Sequence, residues 1–371
     1  MEGDMAERPP LLPDLFRMVV KMIVGGVLVI GLVSCGVGCV AGAGAGGKTA
    51  KKEPVAKTIY GNKDSDNAIE RIDIVGPILT HAPDETDGGF FSSIQVLTYG
   101  YKVKEQLLKA AKDDDVKAVM LFVSTPGGTI VGSEAIHDGV LAVKEAGKPI
   151  VAHVDMMSAS GGVWSTAAAD KIFADHGSLV GSVGVIFGNF MYYKDPVAID
   201  GGLFRGGVTT RGGVKSTVIA ASEGKDLGNP FRPMTEREKT LLEASAKEFY
   251  EKFLDHVTQY RPLDRDALVD DYGAMIFAND AAEARGYIDG SRTYQESIAY
   301  IAGEIGAEGD DWKLVLPPEV PKSPLEKMFG ASLAALSSGR MEAAQDAAVC
   351  AELKTGPVAI TAQSLTSLCG L

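Results

Sequence analysis

The sequence predicts an α/β fold with a mostly parallel sheet, preceded by one N-terminal transmembrane helix. Short apolar runs rich in β-branched residues alternate with segments of helical apolar spacing, a pattern typical of βαβ units. Hydrophobic residues make up 46% of the 371 residues and charged residues 23%. This is the composition of a globular protein, and it excludes a wholly disordered chain and a polytopic membrane protein.

The transmembrane helix is predicted from an uncharged apolar run at residues 22–47, since about 20 such residues cross a bilayer. It would follow a cytoplasmic segment at 1–21 and precede a linker at 48–67. A cleaved signal peptide is one alternative, although the run is long for one. Lipidation of Cys35, which follows an apolar and a small residue, is the other.

The central region contains predicted strands and helices in alternation. Short apolar runs predict strands at Ala68–Ile74, Val116–Val123, Pro149–Val154, Lys171–Ala174 and Val183–Phe187. Helical apolar spacing predicts helices at Val103–Lys112, Ser133–Ala146, Trp164–Ala169 and from Thr235 to about Gln259. The last helix begins with a capping box, Thr235 to Glu238. These elements form one domain at 68–316, and a flexible tail follows at 317–371.

Charge and cysteine content exclude several functions. The net charge of −13 argues against a nucleic-acid partner, because such proteins carry a basic footprint. Four cysteines are too few for a disulfide scaffold, and Cys350 and Cys369 either pair or remain two free thiols. The sequence shows no metal-ligand spacing, phosphate-binding loop or dinucleotide fingerprint. We therefore expect neither a metal nor a cofactor.

Two glycine-rich junctions follow neighbouring predicted strands, where chemistry in α/β sheets tends to occur. Ser160 precedes Gly161 at a strand-to-helix turn, so its hydroxyl would be approachable and the next N–H could bind an oxyanion. The Pro-Gly-Gly turn at 126–128 offers further N–H groups. Taken singly, each junction is more often an ordinary tight turn. None of the five histidines has a triad spacing, and a buried lysine can replace histidine as the base.

Five blocks of the central region are informative together. They are STPGG at 124–128, SASGGVWSTAAADKIFA at 158–174, GSVGVIFGN at 181–189, GKDLGNPFRPMTEREK at 224–239 and FANDAAEARGYIDG at 277–290. In order and separation they resemble the signal peptide peptidase A family of membrane-anchored serine peptidases. The resemblance covers roughly residues 72–301. It implies repeated ββα units, as in Clp protease and the crotonases.

The resemblance also implies roles for individual residues. By position, Ser160 is the nucleophile and Lys225 is the general base that takes its proton. The N–H groups of Gly128 and Gly161 bind the oxyanion, and the hydroxyl of Ser182 holds the lysine amine.

The lysine assignment has one competitor and the function has two. Lys215 is the competing base, because it lies in a stretch at 201–222 that is longer and richer in glycine than the family pattern. The implied function is a Ser–Lys endopeptidase acting on apolar peptides such as cleaved signal peptides. It would be a homo-oligomer in the inner membrane, with its catalytic domain on the extracytoplasmic, periplasmic side. The alternatives are a crotonase-like acyl-CoA enzyme and an inactive membrane scaffold.

Overall fold

The structure is a computed structural model. It describes residues 56–82, 97–188, 190, 192–194, 217–219 and 221–318, together with the backbone of 357–360. The chain divides into two units, 1–53 and 54–371, and every described residue lies in the second. The predicted transmembrane helix at 22–47 lies outside the described residues. Within the described part of the chain, no helix combines the length and apolarity needed to cross a bilayer.

Strands and helices alternate through most of the described chain. The strands are β1 (Lys57–Gly61), β2 (Ala68–Val75), β3 (Ile78–Leu79), β4 (Thr98–Tyr99), β5 (Val116–Thr125), β6 (Gly127–Thr129), β7 (Ile150–Ala159), β8 (Lys171–Ala174), β9 (Leu179–Gly181), β10 (Ile186–Phe187), β11 (Ile276–Ala278), β12 (Gly290–Ser291), β13 (Lys313–Leu316) and β14 (Pro357–Ile360). The helices are α1 (Gly100–Lys112), α2 (Ile130–Glu145), α3 (Gly161–Thr166), α4 (Glu236–Tyr260), α5 (Arg265–Ala267), a π-helical turn (Leu268–Tyr272), α6 (Asn279–Ala284) and α7 (Tyr294–Glu304).

Two sheets are present among the described residues. The larger has the strand order β1-β13-β2-β5-β7-β8-β12, and β9 joins it by pairing with both β7 and β11. All of its pairs are parallel except β1 with β13 and β9 with β11. The smaller sheet has the order β10-β14-β6-β3-β4. The prediction of an α/β fold with a mostly parallel sheet is therefore confirmed, and β5, β6 and α2 form a ββα unit in chain order.

The sheet is stable because its central strands are apolar on both faces. Residues such as Ile72, Leu121 and Val154 are fully buried in the larger core, with α1 and α2 packed over them. A second cluster on the opposite face includes Met120 and Ile301. Burial on both faces explains why β5 and the first half of β7 appear as nearly continuous apolar runs in the sequence. Strand β2 also carries Arg71 and Asp73, at positions that are partly or fully exposed.

Several elements of the structure differ from the elements predicted from the sequence. The sheet begins at β1, inside the predicted linker at 48–67, because this exposed strand lacks an apolar run. In the predicted strand Val183–Phe187, only β10 pairs with another strand. Helix α3 begins three residues earlier than predicted, directly after Ser160. Four residues of the tail predicted to be flexible, 357–360, form β14.

The long helix α4 was predicted within one residue at each end. Thr235 accepts a hydrogen bond from the Glu238 backbone, and the Glu238 carboxylate accepts one from the Thr235 backbone, so the capping box is present. Its buried face carries Phe253 and Val257, whereas Leu241 at the start of the predicted apolar face is exposed. This helix brings a wall of side chains to the edge of the candidate site.

Candidate active site

Ser160 occupies a strained turn between β7 and α3. Its backbone has φ 54° and ψ −112°. Among the described residues other than glycine, positive φ occurs only here and at Ser182. Such a conformation costs about 1–3 kcal/mol and persists only where the surroundings enforce it. Here the Ser160 N–H donates to Gly181 O at 2.8 Å, and Ser160 O accepts from the Trp164 N–H at 3.0 Å.

The Ser160 side chain faces a bend of the chain after β9. Its Oγ donates to the carbonyl oxygen of Gly184 at 3.4 Å, a long and therefore weak hydrogen bond. The residue is 1% exposed in this single chain. Gly161 is the first residue of α3, so its N–H has no acceptor within that helix. That N–H is adjacent in sequence to the hydroxyl, as an oxyanion donor must be.

Gly128 lies in β6, where no side chain can be accommodated. A Cβ built on it would overlap the carbonyl oxygen of Ile78 and lie 2.6 Å from that residue's N and C atoms. The close approach comes from the parallel pairing of β6 with β3, in which Gly128 is opposite Ile78. Thr125 holds the turn before β6, since its Oγ1 donates to Gly76 O at 2.6 Å and accepts from the Gly127 N–H.

Ser182 is brought beside Ser160 by the register of two strands. In the parallel pairing of β7 with β9, Ala159 is opposite Gly181, so the two serines follow directly at adjacent strand ends. Ser182 also has positive φ, 60°, and its N–H donates to Met275 O at 2.7 Å. The sequence-predicted pair of serines therefore shares one corner of the fold.

Lys225 is placed differently. It lies in the turn before α4 and its side chain is exposed. No hydrogen bond or ion pair connects it to Ser160 or Ser182 in the described part of the chain. A lysine amine acts as a base only when it is neutral, and a site that excludes water favours that form. The described chain by itself thus does not assemble the predicted dyad, and Lys215 lies outside the described residues.

A cavity of about 720 Å³ opens beside the two serines. It is lined by Ser182, Val183, Gly184, Val185, Ile186, Ala246, Lys247, Tyr250, Glu251, Val269, Ala274 and Ile276. Most of this wall is apolar, and Gly184 is the residue that accepts the hydrogen bond from Ser160. Lys247 is part of this lining, whereas Lys225 is not. Our sequence analysis missed Lys247 because it lies inside an ordinary helical pattern.

Strand β14 lies against the same corner. It pairs antiparallel with β6, so that Ala359 is opposite Gly128 and Ile360 is opposite Gly127. On its other side it pairs with β10 through Val358 and Ile186. A segment of the chain's own C-terminal region therefore fills the gap between the proposed oxyanion strand and the strand beside the cavity.

Trp164 fixes the short helix that follows Ser160. Its indole N–H donates to Glu134 Oε2 on α2 at 2.6 Å. Its carbonyl oxygen accepts from His256 Nε2 on α4 at 2.9 Å, which makes that nitrogen the protonated one. Burial lowers the pKa of His256. Sequence analysis missed Glu134 and His256, because their contact with Trp164 depends on helix packing.

A second group of titratable side chains is buried away from this corner. His153 Nδ1 lies 2.9 Å from Ser297 Oγ, and its Nε2 lies 3.9 Å from Asp175. This combination resembles a triad in composition only, since His153 and Ser297 are both 0% exposed. Among the described residues no group of three or more His, Cys, Asp or Glu could hold a metal ion.

Comparison with known proteins identifies relatives of this site. Residues 142–307 match the model of Peptidase family S49. A relative from Methanocaldococcus jannaschii is 33% identical over 187 residues, which are 50% of this chain and 56% of that protein. The chloroplastic serine protease SPPA of Arabidopsis thaliana is 26% identical, over 53% of this chain and 27% of that protein. The chain thus spans about half, or less, of the length of these relatives.

Among solved structures, a ClpP1 mutant from Listeria monocytogenes aligns with a TM-score of 0.37 and 12% identity, over 62% of this chain and 94% of that one. The family model and the sequence relatives confirm the resemblance carried by the five blocks.

Proposed function

We propose that this chain, a member of the signal peptide peptidase A family, is a membrane-anchored serine endopeptidase that hydrolyses apolar peptides with Ser160 and Lys225. One observation carries the proposal. Ser160 is held in a strained turn at the edge of an apolar cavity, beside two backbone segments that can donate N–H groups. Strained backbone of this kind is concentrated at functional sites.

The proposed chemistry gives each of these groups one role. Lys225 Nζ, in its neutral form, takes the proton from Ser160 Oγ as that oxygen bonds to the peptide carbonyl carbon. The N–H groups of Gly128 and Gly161 bind the oxygen that becomes negative. The carbon–nitrogen bond then breaks, and the lysine proton passes to the leaving amine. In deacylation, neutral Lys225 takes a proton from the water that attacks the acyl carbon, and it passes that proton to Ser160 Oγ as the ester bond to serine breaks.

The lysine has to lose its water before it can act. We propose that a second copy of the chain covers Lys225 in a homo-oligomer. Exposed apolar side chains occur next to it in sequence, at Leu227, and in the preceding segment, at Tyr192, Tyr193 and Ile219. Burial of such a surface would both stabilise an assembly and lower the pKa of an enclosed amine.

The cavity and the edge of β6 support a preference for apolar, extended substrates. In this structure β14 occupies that edge of β6. A peptide that takes the place of β14 would form main-chain hydrogen bonds with β6, and its side chains would meet the cavity wall formed by Val183, Ile186 and Tyr250. Peptides freed from a membrane have such side chains. The N-terminal anchor at 22–47 and a catalytic domain on the extracytoplasmic side complete the proposal.

The test is cleavage of an apolar, signal-peptide-like fluorogenic peptide by the full-length protein in detergent. We expect Ser160→Ala and Lys225→Ala each to lower kcat by at least about 1,000-fold, since nucleophile and base act as one unit. Lys215→Ala is the matched control and should keep wild-type kcat, whereas Lys247→Ala alters the cavity wall, so its effect should fall on KM. Activity in Ser160→Ala would overturn the mechanism, and an inactive Lys215 or Lys247 variant with an active Lys225 variant would move the base.

A further inference from the structure

The segment that carries Lys225 is a compact turn with its own hydrogen bonds. The Leu227 N–H donates to Gly224 O at 3.1 Å, and the Asn229 N–H donates to Asp226 O at 3.0 Å. Asn229 Oδ1 accepts from the Phe231 N–H at 3.1 Å. These bonds fix the shape of the turn, but none of them fixes its position on the rest of the molecule.

Arg232 connects this turn to helix α4. Its Nε and Nη2 donate to the two oxygens of Asp226 at 2.8 and 2.7 Å. Its Nη1 and Nη2 donate to the two oxygens of Glu238 at 2.9 and 2.6 Å. One guanidinium thus grips two carboxylates, each by both oxygens, which is the geometry that defines position as well as charge.

Glu238 belongs to the rigid part of the molecule. It is 7% exposed, and its carboxylate also accepts from the Thr235 N–H at 2.9 Å as part of the capping box of α4. Helix α4 carries Ala246 and Tyr250 of the cavity wall. Helix α4 therefore joins the cavity wall to Glu238, and Arg232 joins Glu238 to Asp226, the neighbour of Lys225.

We propose that Arg232 is a positioning residue for Lys225: its double fork sets where the lysine-bearing turn lies relative to α4. The inference rests on the proposed function, because it gives a purpose to the turn only if Lys225 is the base. Isolated exposed ion pairs contribute little to stability. Two bidentate pairs on one partly buried arginine restrict geometry instead, and a misplacement of about 1 Å of a catalytic group can cost about 100-fold in rate.

The same surface offers a matched control. Arg237 lies on the first turn of α4, is 75% exposed, and approaches Glu223 at only 3.6 Å. Replacing either arginine by lysine keeps the charge. Only at position 232 does the replacement remove a fork that a lysine ammonium cannot reproduce.

The experiment measures kcat and KM of the full-length protein in detergent with the apolar fluorogenic peptide, for Arg232→Lys, Asp226→Asn and Arg237→Lys. The temperature is set well below the melting temperature of every variant, so that a loss of stability alone cannot lower kcat. We expect kcat to fall about 10- to 100-fold for Arg232→Lys, with KM within about twofold, and no change for Arg237→Lys. Asp226→Asn removes a carboxylate oxygen that Arg232 binds, so it should also lower kcat and leave KM within about twofold. It tests the positioning role if Arg232→Lys does not fold.

Ser160→Ala and Lys225→Ala in the same assay distinguish a failure of the positioning role from a failure of the proposed function. If both lose activity while Arg232→Lys and Asp226→Asn match Arg237→Lys, the positioning role is overturned and the proposed function stands. A rise in KM with kcat unchanged would also overturn it, since that result assigns the turn to substrate binding. Wild-type kcat in Lys225→Ala would overturn the base itself, whatever the arginine variants do.

Discussion

Gly128→Ala tests whether the N–H groups of β6 bind the oxyanion. A methyl group at this position would overlap the carbonyl oxygen of Ile78 and lie 2.6 Å from its N and C atoms. Ordinary contact begins at 3.4 Å, so β6 would have to move away from β3 by at least about 0.8 Å. Since an oxyanion donor acts only within hydrogen-bonding distance, a shift of this size removes its contribution.

We expect kcat for peptide cleavage to fall about 100-fold in Gly128→Ala, at the lower end of what losing one such donor costs. The control is Gly303→Ala on α7, where nothing lies within 4 Å of the added Cβ. It should keep wild-type kcat and gain up to about 1 kcal/mol of unfolding free energy, because alanine is the better helix former. A Gly128→Ala enzyme within threefold of wild-type kcat would refute the assignment of β6.

Two further predictions concern strand β14 and the buried His137. Deleting 357–371 should raise kcat/KM because β14 competes with substrate for β6. If the pairing of β14 with β6 stabilises the closed form by ~1.4 kcal/mol, the rise is about tenfold. Deletion of 361–371 is the control, and equal kcat/KM for the two deletions would contradict the competition. Burial, with a smaller effect of His256, lowers the pKa of His137 from 6.5 to about 4. The unfolded chain therefore takes up the proton first, and about 3 kcal/mol of stability present above pH 6.5 should be lost as the pH falls to 4. Glu70, whose pKa burial raises to about 7, has the opposite slope, so urea unfolding should be read as the difference between wild type and His137→Phe. An unchanged difference between pH 7 and pH 4 would sink this prediction.

The parts of the fold that could be predicted are those in which burial leaves a long pattern. Strands β5 and β8 were found because their runs are largely apolar, and β2 because it carries the buried Ile69, Ile72 and Ile74. Helix α4 was found from its capping box and spacing. Strands β3 and β6 have two and three residues, too few for any period. The last residues of β7, 155–159, were missed because Asp155 and Met156 are exposed and interrupt the apolar run.

The candidate site also contains some residues that could be predicted from the sequence and others that could not. The turn at Ser160 could be predicted because it follows an apolar strand and precedes two glycines. The neighbourhood of Ser160 and Ser182 could not be derived from spacing, since it depends on the register of β7 with β9; only the family resemblance pointed to Ser182. The position of Lys225 depends on side-chain contacts of Asp226 and Arg232, which leave no periodic signal.

The surrounding structure holds the two strained serines in place. Each sits at the end of a strand in the described sheet, and the chain holds each by a backbone bond from its own N–H, to Gly181 O for Ser160 and to Met275 O for Ser182. Strain of about 1–3 kcal/mol at each residue can persist only because releasing it would break the pairing of β7, β9 and β11, whose core residues are buried. The first turn of α3 is likewise held from outside, through Trp164, by α2 and α4. Strand pairing and helix packing thus hold the nucleophile's side of the site, whereas Arg232 ties the lysine-bearing turn to α4. If the two sides meet only when a second copy covers the turn, the strained serine waits in a fixed geometry, and assembly supplies the base.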